Sequence, residues 1–327
     1  MQEQGSFEQT LKELAKDKPD EATLYELSNL HGETLEKLDQ AWPSLPEERR
    51  EYIVARLAEI AEADFEADFA ELFKLCLKDP SPRVRATAID GLWEVEDVIL
   101  VRPMIDMLRE DPSVLVREAS AAGLSRFALM AEMKRLPSRL SEMVWDVLWD
   151  AAHDPEEDLA VCRRSIEALA HFDRPEVAQL IRQAYADDEP KMRVSAVFAM
   201  GRSSDQDWSE VVLAELEADD AEMRYEAARA CGELRLIEAT QQLSRLVADA
   251  DTEVKLAAVW SLGQISTPEA QRVLEICYEQ GDEALQDAAE EALDEMDFVQ
   301  GNLDFPLYDL TGEEGEEPLP WDEEEAD

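Results

Sequence analysis

Three histidines, four cysteines and 78 carboxylates are the side chains of this 327-residue sequence that could do chemistry, and their spacing argues against most of it. His31, His153 and His171 are followed by Gly32, Asp154 and Phe172, so no pairing gathers the several N or S donors a transition-metal site needs. Cys76, Cys162, Cys231 and Cys277 lie far apart with no CxxC, which argues against a zinc cage, a redox dithiol or a disulfide framework. They read as small core residues. The run Asp249-Ala250-Asp251-Thr252-Glu253 begins like a calcium loop, but Val254 stands where that loop turns on a glycine. No phosphate-binding glycine loop or dinucleotide fingerprint occurs, and Gly123-Leu124-Ser125-Arg126-Phe127 lacks the final glycine of a nucleophile elbow. The expectation is no catalytic residues, no metal and no cofactor.

Charge narrows the partners. With 31 basic and 78 acidic side chains the net charge is −47, a field that repels phosphate backbones and anionic lipid. Neither nucleic acid nor a membrane is expected as a partner. The first twenty residues lack the basic and apolar regions of a secretory leader, and no apolar run approaches the roughly 18 residues of a membrane span. A cytoplasmic location is expected. Only 11 glycines occur while Ala, Leu and Glu abound, a composition that favours helix.

The elements that would position any site come from an internal repeat. Apolar anchors at Val84, Val116, Val161, Met192, Met223, Val254 and Leu285 are spaced 32, 45, 31, 31, 31 and 31 residues apart. Four residues on stand small side chains, from Ala88 to Ala289, and eight on stand Leu, Met or Cys. Those offsets lie on one helical face. A second set of columns, such as Ile181, Val212, Leu243 and Leu274, makes the other half of each unit an amphipathic helix too. The 45-residue interval is about 14 residues over the period, predicting longer helices or a longer loop with Pro137 as a break.

This pattern resembles HEAT-type helical repeats, in the short 31-residue variety also found in phycobilin lyases. The resemblance is strong over about residues 79–295 and implies an all-α, right-handed α-solenoid of helical pairs. It also implies a hydrogen-bonded ladder of turn aspartates, here Asp79, Asp111, Asp187 and Asp249, with helix bases Arg85, Arg117, Arg193, Arg224 and Lys255. Cys162 and Gln286 replace the base and should interrupt it. Residues 1–78 are expected to form an N-terminal helical cap and a degenerate repeat, and 79–299 the solenoid. Residues 300–327, with three prolines and many acids, are expected to be a disordered acidic tail. Deoxyhypusine hydroxylase is similar in architecture, but its His-Glu pairs are missing here. The alkylpurine DNA glycosylases resemble it too, yet their basic concave face has the opposite sign.

In such stacks the anchor-bearing helix is the concave one, and offsets 2 and 6 from the anchor project from it. Those columns give Val194, Phe198, Tyr225, Leu256 and Trp260, with Arg229, as an apolar-aromatic strip. Arg163 and Glu167 bound it on one side, Asp287 and Glu291 on the other. The strip reads either as a site for an apolar peptide or helix of a protein partner or as packing between neighbouring inner helices. The leading expectation is a non-enzymatic scaffold or adaptor. The alternatives are an acidic protein that sequesters basic partners and a phycobilin-lyase-like activity, the latter implied by the resemblance alone. The tail segment from Phe305 to Leu310 is a further candidate occupant of the concave face.

Overall fold

The computed structural model describes residues 2–16 and 18–300, and the only regular structure among them is helical. The order is α1 (Gln2–Leu14), α2 (Glu21–Tyr25), α3 (Gly32–Ala41), α4 (Glu47–Ala63), α5 (Ala70–Cys76), α6 (Pro82–Asp90), α7 (Val101–Glu110), α8 (Val114–Glu132) and α9 (Ser138–His153). It continues with α10 (Leu159–Leu169), α11 (Pro175–Tyr185), α12 (Pro190–Arg202), α13 (Ser209–Glu215), α14 (Ala221–Glu233), α15 (Thr240–Leu246), α16 (Thr252–Ile265), α17 (Pro268–Gln280) and α18 (Glu283–Gln300). The expected acidic tail and its Phe305 to Leu310 segment lie outside the described residues, and α18 takes in Gln300.

From α4 to α18 every even-numbered helix packs on the next, while neighbours in the odd row touch less. The stack therefore curves with the even row inside, which makes the anchor-bearing helices the inner ones. The offset-4 column explains how they come so close: Ala88, Ser120, Ser165, Ala196, Ala227, Ala258 and Ala289 are all fully buried. Ser120 and Ser165 donate their hydroxyls to Val116 O and Val161 O one turn back, so neither buried oxygen is left without a partner.

A second close approach recurs with the repeat. A Cβ on Gly201 would fall 2.8 Å from Ala230 Cα, one on Gly232 2.9 Å from Ser261 Cα, and one on Gly263 3.0 Å from Ala292 Cβ. Each glycine follows its anchor by nine positions and meets the residue seven positions after the next anchor. Ser204, Arg235 and Ser266, again 31 apart, close these helices with φ of 54°, 51° and 53°. The surplus of the 45-residue interval goes into helix, giving α8 19 residues and α9 16. Lys134 ends α8 with φ 59°, and Pro137 is the N-cap of α9.

The aspartate-arginine contacts run between units, and they differ from the expected ladder in several rungs. Arg85 donates through Nη1 to its own turn at Asp79 O, 2.7 Å, and through Nε and Nη2 to Asp111 of the next turn, 2.9 and 2.8 Å. Arg224 does the same with Ala218 O and Asp249. Arg117 holds Asp111 O, but its forward acceptor is Glu157. Arg193 reaches no aspartate; Ala218 stands at the turn position an aspartate would fill, so the guanidinium meets Glu215 at 3.3 Å and lies over Tyr185. Asp187 accepts the Glu189 N–H and, among the described residues, no guanidinium, since the preceding unit offers Cys162. Lys255 forms no ion pair among the described residues, Gln280 occupying the turn position ahead of it. One rung was not foreseen: buried Arg50 donates Nε and Nη2 to buried Asp79, 2.7 and 3.1 Å, and Trp42 Nε1 adds a third donor at 2.8 Å.

Candidate interaction surface

Four side chains of the expected strip stand on the inner face of α12, α14 and α16. Phe198, Arg229, Leu256 and Trp260 are half-buried, and the three apolar ones lie outside the contiguous core. Tyr225 is half-buried against the core's edge. Val194 is only 4% exposed and belongs to the core, because the close approach of α12 to its neighbours covers that flank of the helix. It contributes no binding surface.

The strip is organised by cations and one carboxylate. Arg229 lies over the Trp260 ring with its guanidinium carbon 3.5 Å from the centroid, a cation stacked on the indole face. The same indole covers Gly232: a Cβ there would meet Trp260 Cζ3 at 2.6 Å. Arg202 lies 5.2 Å from the Phe198 centroid, and Glu233 pairs with Arg202 at 3.0 Å and Arg229 at 3.7 Å. Phe198, Tyr225, Arg229 and Glu226 share a cleft of about 100 Å³. Burial, with Glu167 nearby, pushes the Glu226 carboxyl up to about 7.

The two borders differ in kind. Asp287 and Glu291 are exposed. Glu167 is 7% exposed and works inside a network, accepting from Ser195 Oγ at 2.5 Å and Arg164 Nη1 at 2.8 Å, while Arg163 Nε donates to the Ser195 hydroxyl at 2.8 Å. A border expected as an open charged rim is therefore internal wiring between α10 and α12.

Reading offsets 2 and 6 missed a larger feature beside the strip. A cavity of about 780 Å³ opens on the inner face of α6, α8 and α12, walled by Ile89, Trp93, Leu129 and Phe198 and by Arg126, His171 and Arg202. The three bases share one column: each follows its anchor, Val116, Val161 or Met192, by ten positions. Burial and the Arg202 charge push His171 down to about 4, so the imidazole is neutral at physiological pH.

No group of three His, Cys, Asp or Glu side chains that could hold a metal occurs among the described residues. Burial pushes the Cys231 thiol up to about 12 and that of Cys76 well above its ordinary value, which suppresses the thiolate. No helix among the described residues is long and apolar enough to cross a membrane.

The model of HEAT repeats matches residues 69–159 and 209–294, more than half of the chain. The chain belongs to the HEAT-repeat family. The unmatched stretch between those segments contains Cys162 and Asp187, where the arginine ladder is broken. Among solved structures this HEAT chain is similar to the complex of CpcE and CpcF of phycocyanin lyase from Nostoc sp. PCC7120, at 18% identity and TM-score 0.55, covering 80% of this chain and 97% of that one. Human deoxyhypusine hydroxylase matches at 17% identity and TM-score 0.37 over 81% and 96% of the two chains. Kap95p, in its complex with RanGDP, matches at 12% and 0.41 over 89% and 44%. At these identities the likeness concerns the fold. No curated protein matches the chain.

Proposed function

We propose that this HEAT chain is a non-enzymatic, cytoplasmic scaffold whose inner face grips an apolar segment of a protein partner. One observation supports the reading. Phe198, Leu256 and Trp260, on α12 and α16, keep half-exposed apolar faces outside the core, while the offset-4 columns on the same helices are fully buried. Aromatic side chains beside arginine are the residues that carry binding energy at protein interfaces. A repeat stack presents such a surface across several successive helices.

The test is capture of partners from the native host by the full chain and by the Phe198→Ala, Trp260→Ala double variant. The reading expects a partner retained in high salt by the parent and lost by the variant, with helicity by circular dichroism unchanged. The charge of −47 favours a second reading, in which basic proteins are held by the field of the molecule. Capture that disappears with salt and ignores the double variant would support it. A lyase-like activity has only the fold of the CpcE and CpcF complex behind it, and a purified protein that carries colour would favour it.

A further inference from the structure

In a chain with 78 acids and 31 bases, a part-buried guanidinium without a carboxylate is out of keeping, and Arg126 is one. Its Nε is buried with no hydrogen-bond partner. Its Nη2 meets only the Met104 thioether, 3.7 Å away, and its guanidinium carbon lies 4.8 Å from the Phe127 centroid. It forms no ion pair among the described residues, whereas Arg50, Arg85, Arg117 and Arg224 are each held by two carboxylate oxygens. A planar cation with one donor sealed from water and no carboxylate on the others is costly unless an acceptor arrives at the donors that face the cavity.

The surroundings of Arg126 say what that acceptor carries. The cavity it lines is of the size of small-molecule sites, which run to roughly 300–1,000 Å³. Its lining includes two large apolar side chains open to solvent, Trp93 at 53% and Leu129 at 44% exposed, and the half-buried Phe198. Arg202 and the neutral His171 belong to the same lining as further donors. Glu62 and Asp90 also border the cavity, both exposed, and Asp90 has Glu118, Arg164 and Glu62 as its electrostatic neighbours, whereas Arg126 has Glu96 alone. The acids and the bases of the lining thus have different charged neighbours, and Arg126 is the base left without an ion pair among the described residues.

We infer that the cavity around Arg126 binds a small organic carboxylate with an aromatic or aliphatic body, the anionic head taken by Arg126 and the body lying against Trp93, Leu129 and Phe198. Planar guanidinium pairs with carboxylate through paired hydrogen bonds, and apolar walls supply the remaining affinity. The site is distinct from the protein-binding reading, sharing Phe198 and Arg202 with it, and needs no partner protein.

The experiment titrates the full chain with the fluorescent aromatic anion 8-anilinonaphthalene-1-sulfonate and displaces it with 4-phenylbutyrate or with the uncharged 4-phenylbutanol. The expected result is saturable binding, displaced at least about tenfold better by the carboxylate than by the alcohol, with that preference lost in Arg126→Met. Trp93→Ala, at an exposed position, should weaken both competitors alike. Thermal unfolding of Arg126→Met should be no lower than that of the parent, because an unpaired buried charge has been replaced by an apolar chain. Equal displacement by acid and alcohol, a preference that survives in Arg126→Met, or absence of saturable binding would each overturn the proposal. If Arg126→Met unfolds, Arg202→Met carries the acid-against-alcohol comparison at a second cation of the same lining, and an undiminished preference there together with unchanged binding in Trp93→Ala would overturn the proposal.

Discussion

Gly201 of α12 lies so near Ala230 of α14 that a methyl group on the glycine would sit 2.8 Å from the alanine Cα. Backbone, unlike a flexible side-chain tip, has nowhere to retreat. Gly201→Ala should therefore push the two inner helices apart and cost about 1–3 kcal/mol, the range for overpacking a tight interface. Urea unfolding of the full chain measures it; an unchanged midpoint would mean that the inner row slides freely.

Asp79 should be the most expensive carboxylate to remove. It is buried and accepts from Arg50, Trp42 Nε1 and the Ser81 N–H, so Asp79→Ala strands a buried guanidinium and should cost about 3–5 kcal/mol. Arg193→Ala is the control. Its side chain is 42% exposed and its ion pair with Glu215 is long, so the loss should stay below about 1 kcal/mol.

Glu226 and His171 give stability opposite dependences on pH. The folded Glu226 carboxyl titrates at about 7 against 4.5 in its ordinary state, so the folded protein binds the proton more tightly. Its contribution is complete below pH 4.5 and is lost as pH rises through 7. Folded His171 titrates at about 4 against 6.5, so its contribution is present above pH 6.5 and is lost as pH falls through 4. Between pH 6.5 and 8 the loss from Glu226 outweighs the small remaining gain from His171. The melting temperature should fall across that window in the parent, and Glu226→Gln should flatten the fall.

Arg235 holds a left-handed backbone, φ 51°, at the end of α14, and its side chain is exposed. Glycine adopts that conformation without the Cβ penalty. Arg235→Gly should stabilise the chain by about 0.5–1 kcal/mol, read as a higher urea midpoint.

The helical pairs and their register were legible in the sequence because packing between neighbours repeats on a fixed period. The offset-4 small residues are the clearest case, every one from Ala88 to Ala289 being fully buried. The ladder was legible only in part. Residue type marked Arg85, Arg117 and Arg224, but the forward acceptor sits in the next unit, so a substitution there, Ala218 or Glu157, redirects the arginine. Arg50 escaped notice because its unit departs from the period. On the inner face, offsets 2 and 6 found Phe198, Leu256 and Trp260 but also Val194, since counting along one helix cannot show how closely the next one covers it. The basic column at Arg126, His171 and Arg202 needed only an offset of ten, and the extension of α8 disguised it.

The left-handed closures at Ser204, Arg235 and Ser266 have an architectural corollary. Because the chain leaves three successive inner helices through the same backbone turn, 31 residues apart, excision of residues 205–235 would splice one exit onto its equivalent. The shortened molecule would lose one storey, bring Phe198 alongside Trp260, and leave every other floor with the neighbours it needs. Span and cross-section are thus independent quantities in this protein, and the distance between its aromatic fingers is set by how many storeys separate them.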